Sequence, residues 1–256
     1  MFPSLPRKGL GEVLEIGSLL SLVFLNYMTL SVISKKISTC KECLLHKTRT
    51  NTVSGEGSEK AEVIFVGEGP GQSEDLAGRP FCGAAGKYLD ELLQKTGFKR
   101  KEVFIGNIVK CRPPGNRDPL PVEIDACTPY LDQQIEVINP KLIVTLGRFS
   151  MNHFLPKCGI SRDHGKVFKK GNRLYFPIFH PAAALYRGQL KEMIEADFAK
   201  IPKILKDFDK IMENKKEAED KNEDIEDKNK KSSDDQSAMM RDLEDKPIQS
   251  QMNLGL

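Results

Sequence analysis

The chain of 256 residues has few of the features that mark specialised classes of protein. Six cysteines are too few for a disulfide scaffold at this length, so we expect a reducing, cytoplasmic location. The chain also lacks an excess of charge of one sign, since its formal net charge is +3. That balance neither requires nor excludes nucleic acid, because an acidic segment can mask a basic face.

Several ligand-binding motifs are also missing. No H-x-E followed by P-C-x-x-C occurs, which argues against a zinc nucleobase deaminase. The glycine-rich loop at 67–75, GEGPGQSED, has no P-loop lysine and does not spell G-x-G-x-x-G. Phosphate binding by either motif is therefore weakly supported.

The N-terminal segment 13–33 is strongly apolar and close to the length of a membrane span, although Glu15 and Asn26 interrupt it. It could be a membrane anchor or signal, a helix packed on the domain, or part of an extension upstream of a natural start at Met28. We favour the extension, because a compact domain needs nothing before about residue 30. We therefore expect no stable membrane partner.

From Met28 onward, apolar strand patterns alternate with helical patterns. Strands are predicted at 61–67, 103–109, 141–147 and 173–179, and helices at 29–39, 84–97, 123–139, 148–155 and 189–212. This alternation predicts an α/β fold, with a mostly parallel, four-stranded central sheet between two layers of helices. Ligands bind beyond the carboxyl ends of such strands, which here precede the chemically unusual loops after 67, 109 and 179.

Four cysteines form a pattern typical of a metal centre. Cys40 and Cys43 form a C-x2-C pair, and Cys111 and Cys127 follow much later in the chain. Four thiolates suit a tetrahedral zinc ion or a cubane iron–sulfur cluster, and their spacing alone does not separate the two.

Other candidate site residues lie in the loops after the strands. Glu68 and Glu74 follow the first strand, where a carboxylate can orient or activate water. Phe81, in GRPF, can form the wall of a flat pocket on which a base stacks. Asn107 offers a donor and an acceptor side by side, matching the edge of uracil. His180 can donate to a developing negative charge.

Together these motifs resemble the iron–sulfur uracil-DNA glycosylases of bacteria and archaea, often called family 4. The resemblance covers about 29–208 and rests on GEGPGQSEDLAGRPFCGAAGKYLDELL, NIVKCRPPGNRDP, Cys127 and HPAAAL. It implies a [4Fe-4S] cluster on Cys40, Cys43, Cys111 and Cys127, which favours iron over zinc. It further implies an enzyme that flips uracil out of single- or double-stranded DNA and hydrolyses its N-glycosidic bond, leaving an abasic site for base excision repair.

The resemblance also implies roles for individual residues. Glu68 and Gly69 belong to the water-binding motif, and Glu74 lies near the 5-position of the base. Phe81 stacks on uracil, Asn107 reads its edge and His180 stabilises the departing anion. The implied DNA contacts are Lys110, Arg112, Pro113, Leu185, Tyr186 and Arg187, with Leu185 or Tyr186 as the wedge. No lyase lysine is implied, so we expect a monofunctional enzyme. We also expect it to be a monomer.

Two alternatives remain open from the sequence. One is the same enzyme class with a different base specificity, such as hypoxanthine or mismatched thymine, against which Glu68 argues. The other is a nucleic-acid-binding iron–sulfur module without catalytic activity, against which the retained Glu68, Asn107 and His180 argue.

The predicted organisation has four parts. Residues 1–28 form the apolar extension, 29–212 the glycosylase domain, 213–246 a charged linker and 247–256 a tail. The linker has almost no apolar residues, so we expect it to be disordered. The tail from Gln249 to Leu256, QSQMNLGL, loosely fits a sliding-clamp-binding motif, although Gly255 replaces an aromatic residue.

Overall fold

The computed structural model describes residues 28–213. Three predicted parts therefore lie wholly or mostly outside the described residues: the N-terminal extension up to residue 27, the linker beyond residue 213, and the tail at 247–256. No helix within 28–213 is long and apolar enough to span a membrane.

The order of elements confirms the alternating pattern read from the sequence. Strands are β1 (Glu56–Gly57), β2 (Val63–Gly67), β3 (Phe104–Asn107), β4 (Leu142–Leu146), β5 (Phe168–Lys170) and β6 (Arg173–Ile178). Helices are α1 (Leu30–Ser38), α2 (Gln72–Ala77), α3 (Ala84–Lys95), α4 (Pro121–Ile138), α5 (Arg148–Phe154), α6 (Ile160–Asp163), α7 (Pro181–Tyr186), α8 (Gly188–Phe198), α9 (Ile201–Lys206) and α10 (Phe208–Glu213).

The fold is α/β as predicted, but the sheet in residues 28–213 has six strands rather than the four predicted. Its order is β1-β3-β2-β4-β6-β5. The four predicted strands form the parallel centre, and β1 and β5 add antiparallel edges. The edge strands have only two and three residues, too few to produce a recognisable alternation of apolar and polar side chains.

The two faces of the sheet are both covered by apolar side chains. Ile64 and Val66 of β2 belong to a core cluster that includes Leu131 and Ile135 of α4. Phe65 points the other way, as expected from strand alternation, and its ring stacks on Phe198 of α8 at 5.6 Å. Helices therefore lie on both faces, as predicted.

The predicted closing helix at 189–212 is instead three helices, α8, α9 and α10. The first break follows Phe198, and Pro202 is the second residue of α9. A proline lacks the amide hydrogen of a continuous helix, and its ring collides with the carbonyl four residues earlier. The contacts divide the chain after Lys206, so α10 belongs to a separate unit.

Candidate active site

The parallel strands bring the predicted site residues to one edge of the sheet. Gly67 at the end of β2 pairs in register with Asn107 at the end of β3. Glu68 follows Gly67 directly, and Val109 N donates to its carbonyl at 3.1 Å. At the same edge, Gly147 N beyond β4 donates to Ile178 O of β6 at 2.8 Å, and His180 follows two residues later.

Gly67 allows two of these side chains to approach the strand closely. A Cβ at this position would collide with Asn107 Oδ1 and would lie 2.7 Å from Phe81 Cζ. Only glycine fits without displacing one of them. Gly67 was not among the residues predicted to act in the site, although a glycine that ends a buried strand is a signal for such an approach.

Asn107 presents an amide oxygen without a partner. The residue is 2% exposed, and its Oδ1 forms no hydrogen bond within the part of the chain that the structure describes. Buried polar atoms are nearly always paired, so an unpaired one needs an explanation. Its position beside Phe81 suits an atom reserved for a ligand.

Phe81 adopts a strained backbone conformation, with φ of 47°, which is uncommon for a residue with a bulky side chain. Two side chains hold the loop around it. Glu74 Oε1 accepts from Cys82 N at 3.1 Å and from Gly83 N at 3.0 Å, and Arg100 Nη2 donates to Pro80 O at 2.5 Å. Arg100 was not predicted from the sequence, because it lies 20 residues beyond Pro80 and no local motif connects the two.

His180 is held as a neutral hydrogen-bond donor. Ala182 N, at the start of α7, donates to His180 Nδ1 at 3.1 Å, so Nε2 carries the proton of the neutral ring. Burial lowers the pKa of His180 to about 4, although Glu74 opposes the shift. The ring also stacks on Phe81, with centroids 5.6 Å apart, which joins two of the predicted site residues.

Glu68 is a half-buried carboxyl with a raised pKa. Burial raises its pKa to about 7, and repulsion from Asp118 adds to the shift, whereas Arg148 opposes it. A base with a pKa near the working pH transfers protons most efficiently. Arg148 Nη2 contacts Asp118 Oδ2 at 2.7 Å, and neither residue was identified from the sequence. Beside Glu68, a Cβ on Gly69 would lie 2.7 Å from Val109 Cγ2, so Gly69 permits close packing.

The four patterned cysteines line one pocket, hereafter the cysteine cavity. Cys40 and Cys43 lie between α1 and a short 3₁₀ helix, while Cys111 follows β3 and Cys127 lies in α4. The thiols surround this space rather than meeting at a point, and no three of the His, Cys, Asp and Glu side chains in 28–213 are placed to hold a single metal ion.

Positive and polar donors point at the sulfur atoms. Arg49 Nη1 lies 3.1 Å from Cys111 Sγ, and Lys110 N lies 3.1 Å from Cys127 Sγ. Burial raises the pKa of Cys127 to about 11, so a thiolate there needs a compensating positive charge. The cavity thus fits a cationic group with four thiolate ligands. Arg49 is a further residue that the sequence analysis missed.

The structure corrects two of the predicted DNA contacts. Lys110 is 1% exposed, and its Nζ donates to Asn107 O and Gln134 Oε1, both at 2.8 Å. It cannot grip a phosphate from inside the core, so that prediction is wrong. Burial lowers the pKa of Lys110 to about 8. Pro113 is also buried and so stiffens its loop from within rather than at the surface.

The other predicted DNA contacts lie at the surface. Leu185 and Tyr186, at the end of α7, are 47% and 65% exposed, and Arg187 is exposed beside them. Arg112 is half-buried and its Nε donates to Asn116 Oδ1 at 2.7 Å. Large apolar side chains five and six residues beyond His180 suit a wedge, and this role stays a prediction.

Comparison with known proteins gives consistent matches. The family model described as the uracil DNA glycosylase superfamily matches residues 54–207. A type-4 uracil-DNA glycosylase of Archaeoglobus fulgidus is 50% identical over 185 residues, covering 69% of this chain and 93% of the relative. That of Sulfurisphaera tokodaii is 49% identical over 186 residues, with 69% and 84% covered, and that of Thermotoga maritima is 41% identical over 182 residues, with 69% and 95% covered.

Proposed function

The chain belongs to the uracil DNA glycosylase superfamily and, within it, to the type-4 enzymes, and on this premise we propose how its residues remove uracil from DNA. The enzyme hydrolyses the bond between uracil N1 and the deoxyribose C1′, and so leaves an abasic site for base excision repair. The uracil nucleotide is extruded from the stack before the reaction, because the bond is not accessible inside a duplex.

The observation that carries the recognition step is the unpaired amide oxygen of Asn107. Uracil offers an N3–H donor beside its O4 acceptor, and a side-chain amide complements both. Phe81, whose ring lies at the same edge of the sheet, supports the base by stacking, a contact worth about 1–3 kcal/mol. The Phe81 and His180 rings are too close together for a base to enter between them, so we expect uracil to lie beside His180. The role of Glu74 at the 5-position of the base stays a prediction.

The two groups that act on the bond have complementary protonation states. As the bond to C1′ breaks, the electron pair moves onto uracil, and His180 Nε2–H donates to the resulting anion. The pKa of about 4 keeps the ring neutral above that pH, and because Nδ1 accepts from Ala182 N, the one ring proton is on Nε2 and can be donated to the anion. Glu68, with a pKa of about 7, accepts a proton from the water that attacks C1′.

The cysteine cavity supports a [4Fe-4S] cluster bound by Cys40, Cys43, Cys111 and Cys127. Such clusters are held by four cysteine thiolates, and the cavity supplies four thiols together with the Arg49 guanidinium. The cluster would contribute a covalent cross-link between α1, α4 and the loop after β3. That loop carries Arg112, so we infer a structural role for the cluster.

The substrate is uracil-containing DNA, single- or double-stranded. Arg112 and Arg187 contact phosphates, and Leu185 or Tyr186 fills the space that the extruded base leaves. The test is cleavage of an oligonucleotide with one uracil, followed by alkaline treatment, with a matched thymine oligonucleotide as control. Breaks at uracil alone support the proposal. No break, with protein that has the brown colour of an intact cluster, would favour a binding module or another damaged base.

The Asn107→Asp variant tests base recognition directly. It replaces the amide nitrogen with an oxygen that faces the uracil carbonyl, so we expect uracil removal to fall well over tenfold. The rate is measured with the same oligonucleotide under single-turnover conditions. Unchanged activity would refute the role of Asn107 in reading the base.

A sliding clamp is proposed as a partner of the tail at Gln249 to Leu256, from its sequence alone. Deletion of 247–256 should abolish binding to the clamp of the same organism while leaving uracil removal unchanged. Intact clamp binding by the truncated protein would dispose of this proposal.

A further inference from the structure

Lys110 is a buried cation next to the site. It is 1% exposed, and its Nζ donates to two neutral oxygens, Asn107 O and Gln134 Oε1. Among residues 28–213, no carboxylate lies within ion-pair distance of it. Burying an ammonium group is unfavourable unless its hydrogen bonds are replaced, and here the two oxygens replace them.

The sheet explains why Asn107 O needs this donor. On one side, β3 pairs with β2 as far as Asn107. On the other side, β1 pairs with Phe104 and Ile105, so among residues 28–213 the peptide of Asn107 has no strand partner there. Lys110 comes three residues later, and its side chain folds back to supply the missing donor.

The Lys110 contacts extend into a network that reaches two further parts of the domain. Gln134 of α4 accepts from Lys110 and donates through Nε2 to Ser54 O at 2.6 Å. The Lys110 backbone accepts from Val53 N at 2.8 Å and donates to Cys127 Sγ at 3.1 Å. Lys110 is therefore held through its ammonium and through its backbone, and it can fix the Asn107 peptide relative to α4 and the cysteine cavity.

We propose that Lys110 is a positioning residue for base recognition, which holds the Asn107 peptide and so aims the Asn107 amide at uracil without contacting DNA. The inference rests on the proposed function, in which Asn107 reads the base. A lysine in this loop could have one of two roles, contacting a DNA phosphate or positioning Asn107, and the two differ in their effect on DNA binding. A phosphate-contacting lysine adds to DNA affinity and to its salt dependence, since each neutralised phosphate contributes about −0.9 to the slope of log K against log salt. A positioning lysine changes neither.

The test uses the Lys110→Met variant of the full chain, because methionine has a similar length and no donor. We expect at least a tenfold fall in kcat and at least a tenfold rise in the inhibition constant of free uracil. The Kd for DNA with a stable abasic-site analogue should change less than twofold, and its salt slope should stay the same. Cluster content is matched by the absorbance of the brown protein.

Asp163→Asn provides the control, since it also weakens buried polar contacts. Asp163 is 6% exposed and paired with Arg162 and Lys166. This variant should lower the melting temperature but leave the uracil inhibition constant and kcat unchanged. If Lys110→Met does not fold, Lys110→Gln, which keeps an amide donor, replaces it and should show a smaller change in the same direction.

The outcomes distinguish a failure of this inference from a failure of the proposed function. Wild-type values of kcat and of the uracil inhibition constant in the Lys110 variant would overturn the inference. So would weaker binding to the abasic-site DNA together with a reduced salt slope, which would restore the phosphate contact. An inactive wild-type protein on uracil-containing DNA would instead refute the proposed function.

Discussion

Replacing Glu68 with glutamine should change activity and stability in opposite directions. Burial, together with Asp118, raises the Glu68 pKa from 4.5 to about 7. The folded state therefore holds this proton more tightly than the unfolded state does. Below pH 4.5 the carboxyl is protonated in both states, so ionisation costs nothing. Between pH 4.5 and 7 stability falls as the pH rises, because folding then opposes ionisation.

The full loss of stability from ionising Glu68 applies above pH 7. The pKa difference corresponds to roughly 3 kcal/mol, and partial exposure of the side chain reduces this to about 1–3 kcal/mol. Glu68→Gln removes the charge, so the variant should match the wild type at pH 4.5 and exceed its stability at pH 8.5. For a domain of this size, each kcal/mol raises the melting temperature by about 2–4 °C. The loss of the base should lower kcat by about a hundredfold or more.

The effect on stability is measured by thermal unfolding at pH 4.5 and 8.5. The effect on activity is measured by alkaline cleavage of a uracil oligonucleotide. Glu62→Gln is the control, because Glu62 is 60% exposed and pairs with Lys141 at the surface, so its removal should produce no such pH-dependent gain. An equal stability difference at both pH values would refute the burial argument. A pH-dependent gain in stability with unchanged kcat would show that Glu68 is not the base.

Three further predictions concern the same edge of the sheet and the cysteine cavity. Gly67→Ala places a methyl group against Asn107 and Phe81, so uracil removal should fall at least tenfold in single-turnover assays, and normal activity would contradict the close approach. His180 has a pKa of about 4 and stays neutral above that value. The pH profile of kcat/KM should therefore rise near pH 7, as Glu68 ionises, and show no step from the histidine between pH 5 and 6.5. Such a step would refute the neutral state of His180. Cys127→Ser should abolish the brown absorbance and lower the melting temperature, whereas a retained cluster would exclude Cys127 as a ligand.

Most of the fold could be predicted because its signals are local. The runs AEVIFVG and KLIVTLG are apolar throughout, as strands buried on both faces must be, and they coincide with β2 and β4. The short edge strands could not be predicted, because β1 has two residues and exists only through its pairing with β3. Similarly, the closing helix reads as continuous until the effect of Pro202 on the preceding turn is considered.

The sequence by itself determined the family, the catalytic candidates and the set of cysteines, because these depend on residue types in a fixed order along the chain. Only the tertiary structure decided what each environment does to them. Burial gives Glu68 its pKa of about 7 and His180 its pKa of about 4, and a capping contact from Ala182 sets the His180 tautomer. The tertiary structure also places Lys110 in the core rather than at the surface, where its Nζ donates to the Asn107 carbonyl beyond the part of β3 that β1 covers. Desolvation and hydrogen bonding depend on neighbours distant in sequence, so the order of residues alone does not contain them.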